Sequence, residues 1–159
     1  MERLLRFRIE KVVIQNERIL EGDVGGKSIR LDVYAAETGK IYDLEMQTTN
    51  PTDLCERSRY YQALMDVDCL DSGKLYSELH ENFVVFICLK DPFKRNLPCY
   101  TFTNRCHETA ALELNDRTYK LFYNASSYEA EPDAKIREFL KYLVTNRSDG
   151  AFSEDLQNR

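Results

Sequence analysis

The amino-acid sequence predicts an α/β domain in which a mixed central β-sheet is flanked by helices. Three observations carry this expectation. Residues 30–47 alternate apolar and polar side chains on both sides of Glu37-Thr-Gly-Lys40, the pattern of a β-hairpin. Residues 83–89, Phe-Val-Val-Phe-Ile-Cys-Leu, form the most apolar run in the chain, and their length and β-branched content suit a central strand covered on both faces. Helical spacing of apolar residues follows the hairpin and returns near the C-terminus, so strands, an inserted helix, more strands and a closing helix stack as layers around one sheet.

In chain order, residues 4–16 become strand-like in their second half. Phe7, Ile9, Val13 and Ile14 are β-prone there, Val12-Val13-Ile14 reads as buried on both sides, and the opening residues also fit a short helix. Gly22, Gly25 and Gly26 make 21–27 a loop. After the hairpin, residues 48–53 lead into a helix, with Asn50 before Pro51 as one candidate cap and Asp53 with Glu56 as a capping box. That helix is expected to run to about Leu70, with Leu54, Tyr61, Leu64, Met65 and Asp68 along one side and Gly73 as its C-terminal cap. Asp91 to Asn96 reads as a turn-rich loop, with Asp91-Pro-Phe93 as its bend. Pro98 to Thr103 and Tyr119 to Tyr123 read as strands. Residues 132–144 read as a second amphipathic helix built on Ile136, Phe139, Leu140 and Leu143, with Pro132 in its first turn. The elements place a single domain over 1–145 and a polar tail over 146–159.

The hairpin is where chemistry enters. Pairing the arms around Thr38-Gly39 sets Leu31 against Met46, Val33 against Leu44 and Ala35 against Tyr42 on one apolar face. The other face then carries Arg30 opposite Gln47, Asp32 opposite Glu45 and Tyr34 opposite Asp43. A three-residue loop would set apolar residues against polar ones, so the hydrophobic pattern selects the register. Like charges directly opposite each other on a sheet repel. The Asp32, Asp43 and Glu45 set therefore calls for a bound cation, a protonated carboxyl, or neutralisation by Arg or Lys. A cation held by such hard oxygen ligands would be Mg²⁺ or Mn²⁺. The bland reading is a solvated hairpin face neutralised by Arg30 and a nearby Lys. Asp43, close to the turn, is given a minor role.

Asp32, followed on the next strand by Glu45-Met46-Gln47, resembles the metal-binding core of the PD-(D/E)XK nuclease superfamily, with Gln in the Lys position. The string Arg30-Leu-Asp-Val-Tyr34, Asp43-Leu-Glu-Met-Gln47, Arg57-Ser-Arg-Tyr-Tyr61, Asp91-Pro-Phe93 and Tyr100-Thr-Phe102 is similar to its recombination-promoting nuclease or transposase branch, over residues 27–143. The resemblance implies a restriction-endonuclease-like core. It implies a Mg²⁺- or Mn²⁺-dependent DNA endonuclease in which Asp32, Glu45 and the carbonyl of Met46 hold the metal. The closing residue of the motif, here Gln47, orients the attacking water. An amide can do so by hydrogen bonding but carries no charge and is no general base. The resemblance also implies that the helix bearing Arg57 and Tyr61 flanks the site, where these side chains touch a phosphate or orient Gln47; Tyr61 also fits the core, and Arg59 is read as solvated. Relatives carry a helical segment ahead of the first strand whose acidic residue completes the site. Little of this sequence corresponds to it, so the core is read as N-terminally shortened: a truncated chain, a misplaced start, or a site reliant on a partner subunit. Cutting both strands of DNA is easiest for a two-fold homodimer. The alternative is a catalytically degenerate nuclease-fold module acting in protein interaction or assembly.

Composition bounds these readings. The 159 residues, 43% hydrophobic and 31% charged, are enough for one globular domain with a real core. A net charge of −5 argues against binding DNA mainly through bulk positive potential, and leaves room for a local basic patch or an acidic site that needs cations. No apolar run is long enough to span a membrane, and the first residues are too charged for a signal peptide, so a cytoplasmic protein is expected. Five cysteines, an odd number, then read as reduced thiols. Cys99, Cys106 and His107 lack the paired spacing of a zinc site. His80 and His107 accompany no nucleophile motif, and the glycines form no phosphate loop.

Overall fold

The computed structural model describes residues 13–20, 27–37, 39–49 and 51–145. The expectations for residues 4–12, for the loop at 21–26, for Asn50 and for the tail fall outside that range. The elements are β1 (Val13–Leu20), β2 (Ile29–Glu37), β3 (Lys40–Gln47), α1 (Leu54–Cys69), β4 (Glu81–Cys88), β5 (Cys99–Phe102), β6 (Thr118–Asn124) and α2 (Ala134–Thr145). Six strands form one mixed sheet in the order β1-β2-β3-β4-β6-β5. β3, β4 and β6 run parallel at its centre, and the flanking pairs are antiparallel. This is the mixed, helix-flanked sheet that the sequence predicts. Among the described residues no helix is long and apolar enough to cross a membrane.

The centre is built as the apolar run requires. β4 lies between β3 and β6, and Asn82 to Cys88 are all buried. Its side chains alternate between two cores. Phe83, Val85 and Ile87 join Ala35, Tyr42, Leu121, Tyr123, Ile136 and Leu140 under α2. Val84, Phe86 and Cys88 join Leu31, Tyr34, Ile41, Leu54, Tyr61, Met65 and Phe122 under α1. Burial pushes the Cys88 thiol up to about 12, so it is an inert core residue. All five cysteines are free thiols.

The hairpin register is half as expected. The ladder pairs Glu37 with Lys40 at the turn, then Ala35 with Tyr42, Tyr34 with Asp43 and Val33 with Leu44. Gly39, at φ +77°, supplies the left-handed turn residue. Beyond Val33–Leu44 the ladder stops, so Asp32 does not pair with Glu45, Leu31 with Met46, or Arg30 with Gln47. The two carboxylates stand at this break. The Asp32 N–H donates to Glu45 Oε1 (3.0 Å) and the Met46 N–H to Asp32 Oδ2 (3.4 Å), where ladder carbonyls would otherwise accept. β2 stays paired with β1 down to Ile29, Leu31 turns into the core under α1, and Met46 is left exposed.

The caps also differ in detail. Asp53 occupies the N-cap position of α1, but its side chain makes no capping hydrogen bond, so the expected capping box does not form. Gly73, at φ +85°, is not the helix cap. The helix closes at Leu70, and Gly73 serves the following turn, where the Lys74 N–H donates to Asp71 O. α1 buries Ser58 and Gln62 beside Leu54, Tyr61 and Met65, while Asp68 is exposed and pairs with Arg18 at 2.6 Å. Pro132 lies ahead of α2. Asp133 opens that helix, its Oδ1 accepting from the N–H groups of Lys135 and Ile136.

The Asp91-Pro-Phe93 bend is tied by one carboxylate. Asp91 Oδ1 accepts from the N–H groups of Phe93 and Lys94 and from the Tyr100 hydroxyl, and Oδ2 accepts from the Asn96 N–H at 2.7 Å. Partial burial raises the Asp91 carboxyl, and these four bonds outweigh it and hold it below the usual range. They also hold Lys94 and Asn96 at positive φ. Asp91→Ala will cost roughly 1–2 kcal/mol, discounted for the solvent at the loop surface, since several donors lose a charged acceptor. A lower urea midpoint with unchanged m would show it; an unchanged midpoint would mean that water replaces the carboxylate.

Candidate functional site

β3 carries its odd-numbered residues on the α1 face: Ile41, then Asp43, Glu45 and Gln47. Beside them on β4 stand Val84, Phe86 and Cys88. A polar row therefore lies against an apolar row, and α1 covers both. The acidic face is not a solvated hairpin face. Asp43 is 0% exposed, Glu45 4% and Gln47 8%; Asp32, where the strands part, is exposed.

The partner that neutralises Glu45 comes from α1. Arg57 Nη2 lies 3.5 Å from Glu45 Oε2 and donates to the Tyr61 hydroxyl at 3.0 Å, while Nη1 donates to Gln47 Oε1 at 3.1 Å. The guanidinium lies over the rings of Tyr61 and Phe86, 5.4 and 5.6 Å from their centroids. Where the bland reading named Arg30 with a nearby Lys, the cation beside Glu45 is a helix residue ten positions beyond the strand. A guanidinium can only donate, so Arg57 fixes the Gln47 amide with its oxygen toward the helix and its NH₂ turned away. Tyr61 is both things the sequence allows: a core ring, 8% exposed, whose hydroxyl reaches the site. Arg59 is exposed.

The electrostatics follow from burial. Burial pushes the Glu45 carboxyl up to about 7; the Asp32 charge adds to this, while the Asp32 N–H and Arg57 oppose it. Burial holds the Asp43 carboxyl well above the usual range, with the charges of Glu45 and Asp32 adding to it and Arg57 opposing. Both Asp43 oxygens lack a hydrogen-bond partner. This residue, assigned a minor role from its place near the turn, is the most deeply buried acid of the site. The signal for it was present: it alternates with Glu45 and Gln47 on one strand.

The donor chemistry suits a hard divalent cation, because Asp32, Asp43, Glu45 and the Met46 carbonyl offer only oxygen. Among the described residues no three Asp, Glu, His or Cys side chains already converge on one point as a closed metal cage. Asp32 and Glu45 each give an oxygen to a backbone N–H, and the Asp32 contact, at 3.4 Å, is the longest hydrogen bond of the site. Asp43 gives none.

No curated protein and no solved structure matches the chain. The sequence model of one family, described as PD-(D/E)XK nuclease family transposase, matches residues 1–148. With that match over nearly the whole chain, and the Asp32 and Glu45-Met46-Gln47 elements adjoining in space, the protein belongs to the PD-(D/E)XK nuclease family transposases.

Proposed function

We propose that the protein is a divalent-metal-dependent DNA endonuclease that hydrolyses phosphodiester bonds. Nucleases of this kind generally use divalent metals. Asp32, Glu45 and the Met46 carbonyl would hold Mg²⁺ or Mn²⁺, which when bound supplies Lewis acidity and an activated water. Gln47 orients the attacking water through its NH₂, the group that Arg57 leaves turned away. Arg57 thereby acts through Gln47 and Glu45, and Tyr61 holds Arg57. A direct phosphate contact by Arg57 would compete with these bonds. The observation that carries the reading is the buried Glu45 carboxylate joined to Asp32 across parted strands, an arrangement that costs the ladder bonds and that a solvated face would not need.

One observation favours a second reading, the degenerate module acting in assembly: Arg57 already neutralises Glu45, and no cage is preformed among the described residues. Supercoiled plasmid separates the two. With Mg²⁺ or Mn²⁺ the wild-type chain will convert it to nicked or linear forms, and Asp32→Asn and Glu45→Gln will not. No conversion by the wild type, together with no cation binding, would leave the assembly module.

A further inference from the structure

We propose that Asp43 is a third carboxylate of the cation site, an inner ligand that takes a divalent cation together with Glu45 under α1. The inference rests on the metal-dependent reading and deepens it, since the metal-binding strings assign no role to this position. On one strand, residues two apart share a face, so Asp43 and Glu45 are side by side in the same covered layer. Asp43 sits between Tyr34 on β2 and Val84 on β4 in the sheet register. It is wholly buried, and neither of its carboxylate oxygens has a hydrogen-bond partner.

Among the described residues His80 Nδ1 and Asn82 Oδ1 are also buried without a partner, and Asp43 is the one carboxylate in that condition; other buried polar side chains of the sheet and α1 are paired. Glu45 has the Asp32 N–H and Arg57. Gln47 has Arg57. Gln62 donates to the Tyr119 carbonyl, and Asn124 donates to the Leu97 carbonyl and Ser127. Arg57 is the cation that Asp43 feels, and its guanidinium is engaged by Glu45, Gln47 and Tyr61.

A buried polar group is ordinarily paired because leaving it bare costs free energy. A role in packing does not account for the acid, because a residue of the same shape without the charge would fill the space at lower cost. A role as hydrogen-bond donor to the protein does not account for it either, because its oxygens reach no acceptor. Two bare, hard oxygens beside a second buried carboxylate suit a divalent cation, whose charge would offset the repulsion between Asp43 and Glu45. The anchoring is firm: β3 is paired on both sides at Asp43, with β2 and with β4. Asp32, by contrast, lies where the strands part and is exposed. The cation site would then have a fixed inner wall, Asp43 and Glu45, and an outer carboxylate, Asp32, on the open side.

The test is calorimetric titration of Mn²⁺ into the full chain, beside Asp43→Asn, Asp32→Asn and Glu45→Gln, with the melting temperature of each recorded without and with Mn²⁺. Asp43→Asn keeps the shape and removes the charge. It will weaken Mn²⁺ binding by about tenfold or more, lose the Mn²⁺-induced rise in melting temperature, and melt no lower than wild type when cation-free. Should Asp43→Asn fail to fold, Asp43→Ser takes its place and is read the same way. Wild-type affinity in the Asp43 variant, with binding lost in Glu45→Gln, would overturn the inference and leave the metal-dependent reading standing. Absence of Mn²⁺ binding in the wild type would overturn both.

Discussion

Glu45→Gln will make the cation-free protein more stable near neutral pH and abolish its binding of Mn²⁺. The first half follows from where the carboxylate sits. Glu45 is 4% exposed, and burial pushes its carboxyl up to about 7 from an ordinary 4.5. Between those two values the folded chain keeps a proton that the unfolded chain has released. Stability is therefore full below the ordinary value and is lost as pH rises through about 7. A displacement of this size corresponds to a loss on the order of 3 kcal/mol. Asp43 works in the same direction. Asp91 and Asp116, held below the usual range, work in the opposite sense at lower pH and do not overlap this window. The amide of the Glu45→Gln variant has no proton to lose, so that protein keeps the fall contributed by Asp43 but loses the share of Glu45, and its stability should change less across the same range. Urea unfolding of both proteins at about pH 5, 6, 7 and 8 will show the wild-type midpoint falling relative to the variant. Parallel curves would mean that Glu45 titrates as an exposed carboxyl. Mn²⁺ at about pH 8 will restore the wild type and leave the variant unmoved, because an ion that binds only the folded state stabilises only a chain that binds it.

The sequence showed the strands more fully than the site. Alternation around Gly39 gave the true pairs at Val33–Leu44, Tyr34–Asp43 and Ala35–Tyr42, because each of those pairs is a backbone ladder with a consistent face. The apolar run gave β4 its central place for the same reason: burial on both faces is written in one local string. The pattern failed at Asp32 and Glu45 because there the side chains, not the backbone, take the N–H groups of the other strand. Periodicity carries no record of that exchange. Nor does it say what covers a polar face. α1 buries Ser58 and Gln62 as well as Leu54, Tyr61 and Met65, so its inner stripe is mixed and its weight on the acidic row is hidden. The legible trace of what covers the acidic row was the Arg57–Tyr61 pair, one turn apart on the helix, which the fold brings to Glu45 and Gln47. The depth of Asp43 was hidden for a related reason. Distance from a turn along the chain measures neither depth nor what lies above.

Phe86→Ala will cost about 3–5 kcal/mol, a large part of the roughly 5–15 kcal/mol that such a domain possesses. Phe86 is fully buried on the central strand, stacked on Phe122 with centroids 5.5 Å apart and tilted against Tyr61 of α1 at 6.2 Å. It stands beside Glu45 in the sheet register, and Arg57 lies over its ring. The ring is therefore both the floor of the α1 core and the apolar wall of the acidic row. Truncation leaves a void in a close-packed layer, which costs contacts as well as transfer free energy. It also admits water beside Glu45, so the carboxyl should move back toward its ordinary value and the pH slope of stability should flatten. Two readouts thus change together, the urea midpoint at one pH and its dependence on pH. Leu75→Ala is the control: that side chain is 69% exposed, and its loss should stay within about 0.5 kcal/mol. If Phe86→Ala unfolds no earlier than Leu75→Ala, α1 does not rest on the centre of the sheet, and the depth assigned to Asp43 and Glu45 fails with it. If it unfolds far earlier while the pH slope of the wild type persists, the fold stands and the acidic row owes its shifted titration to the carboxylates themselves rather than to the ring beside them.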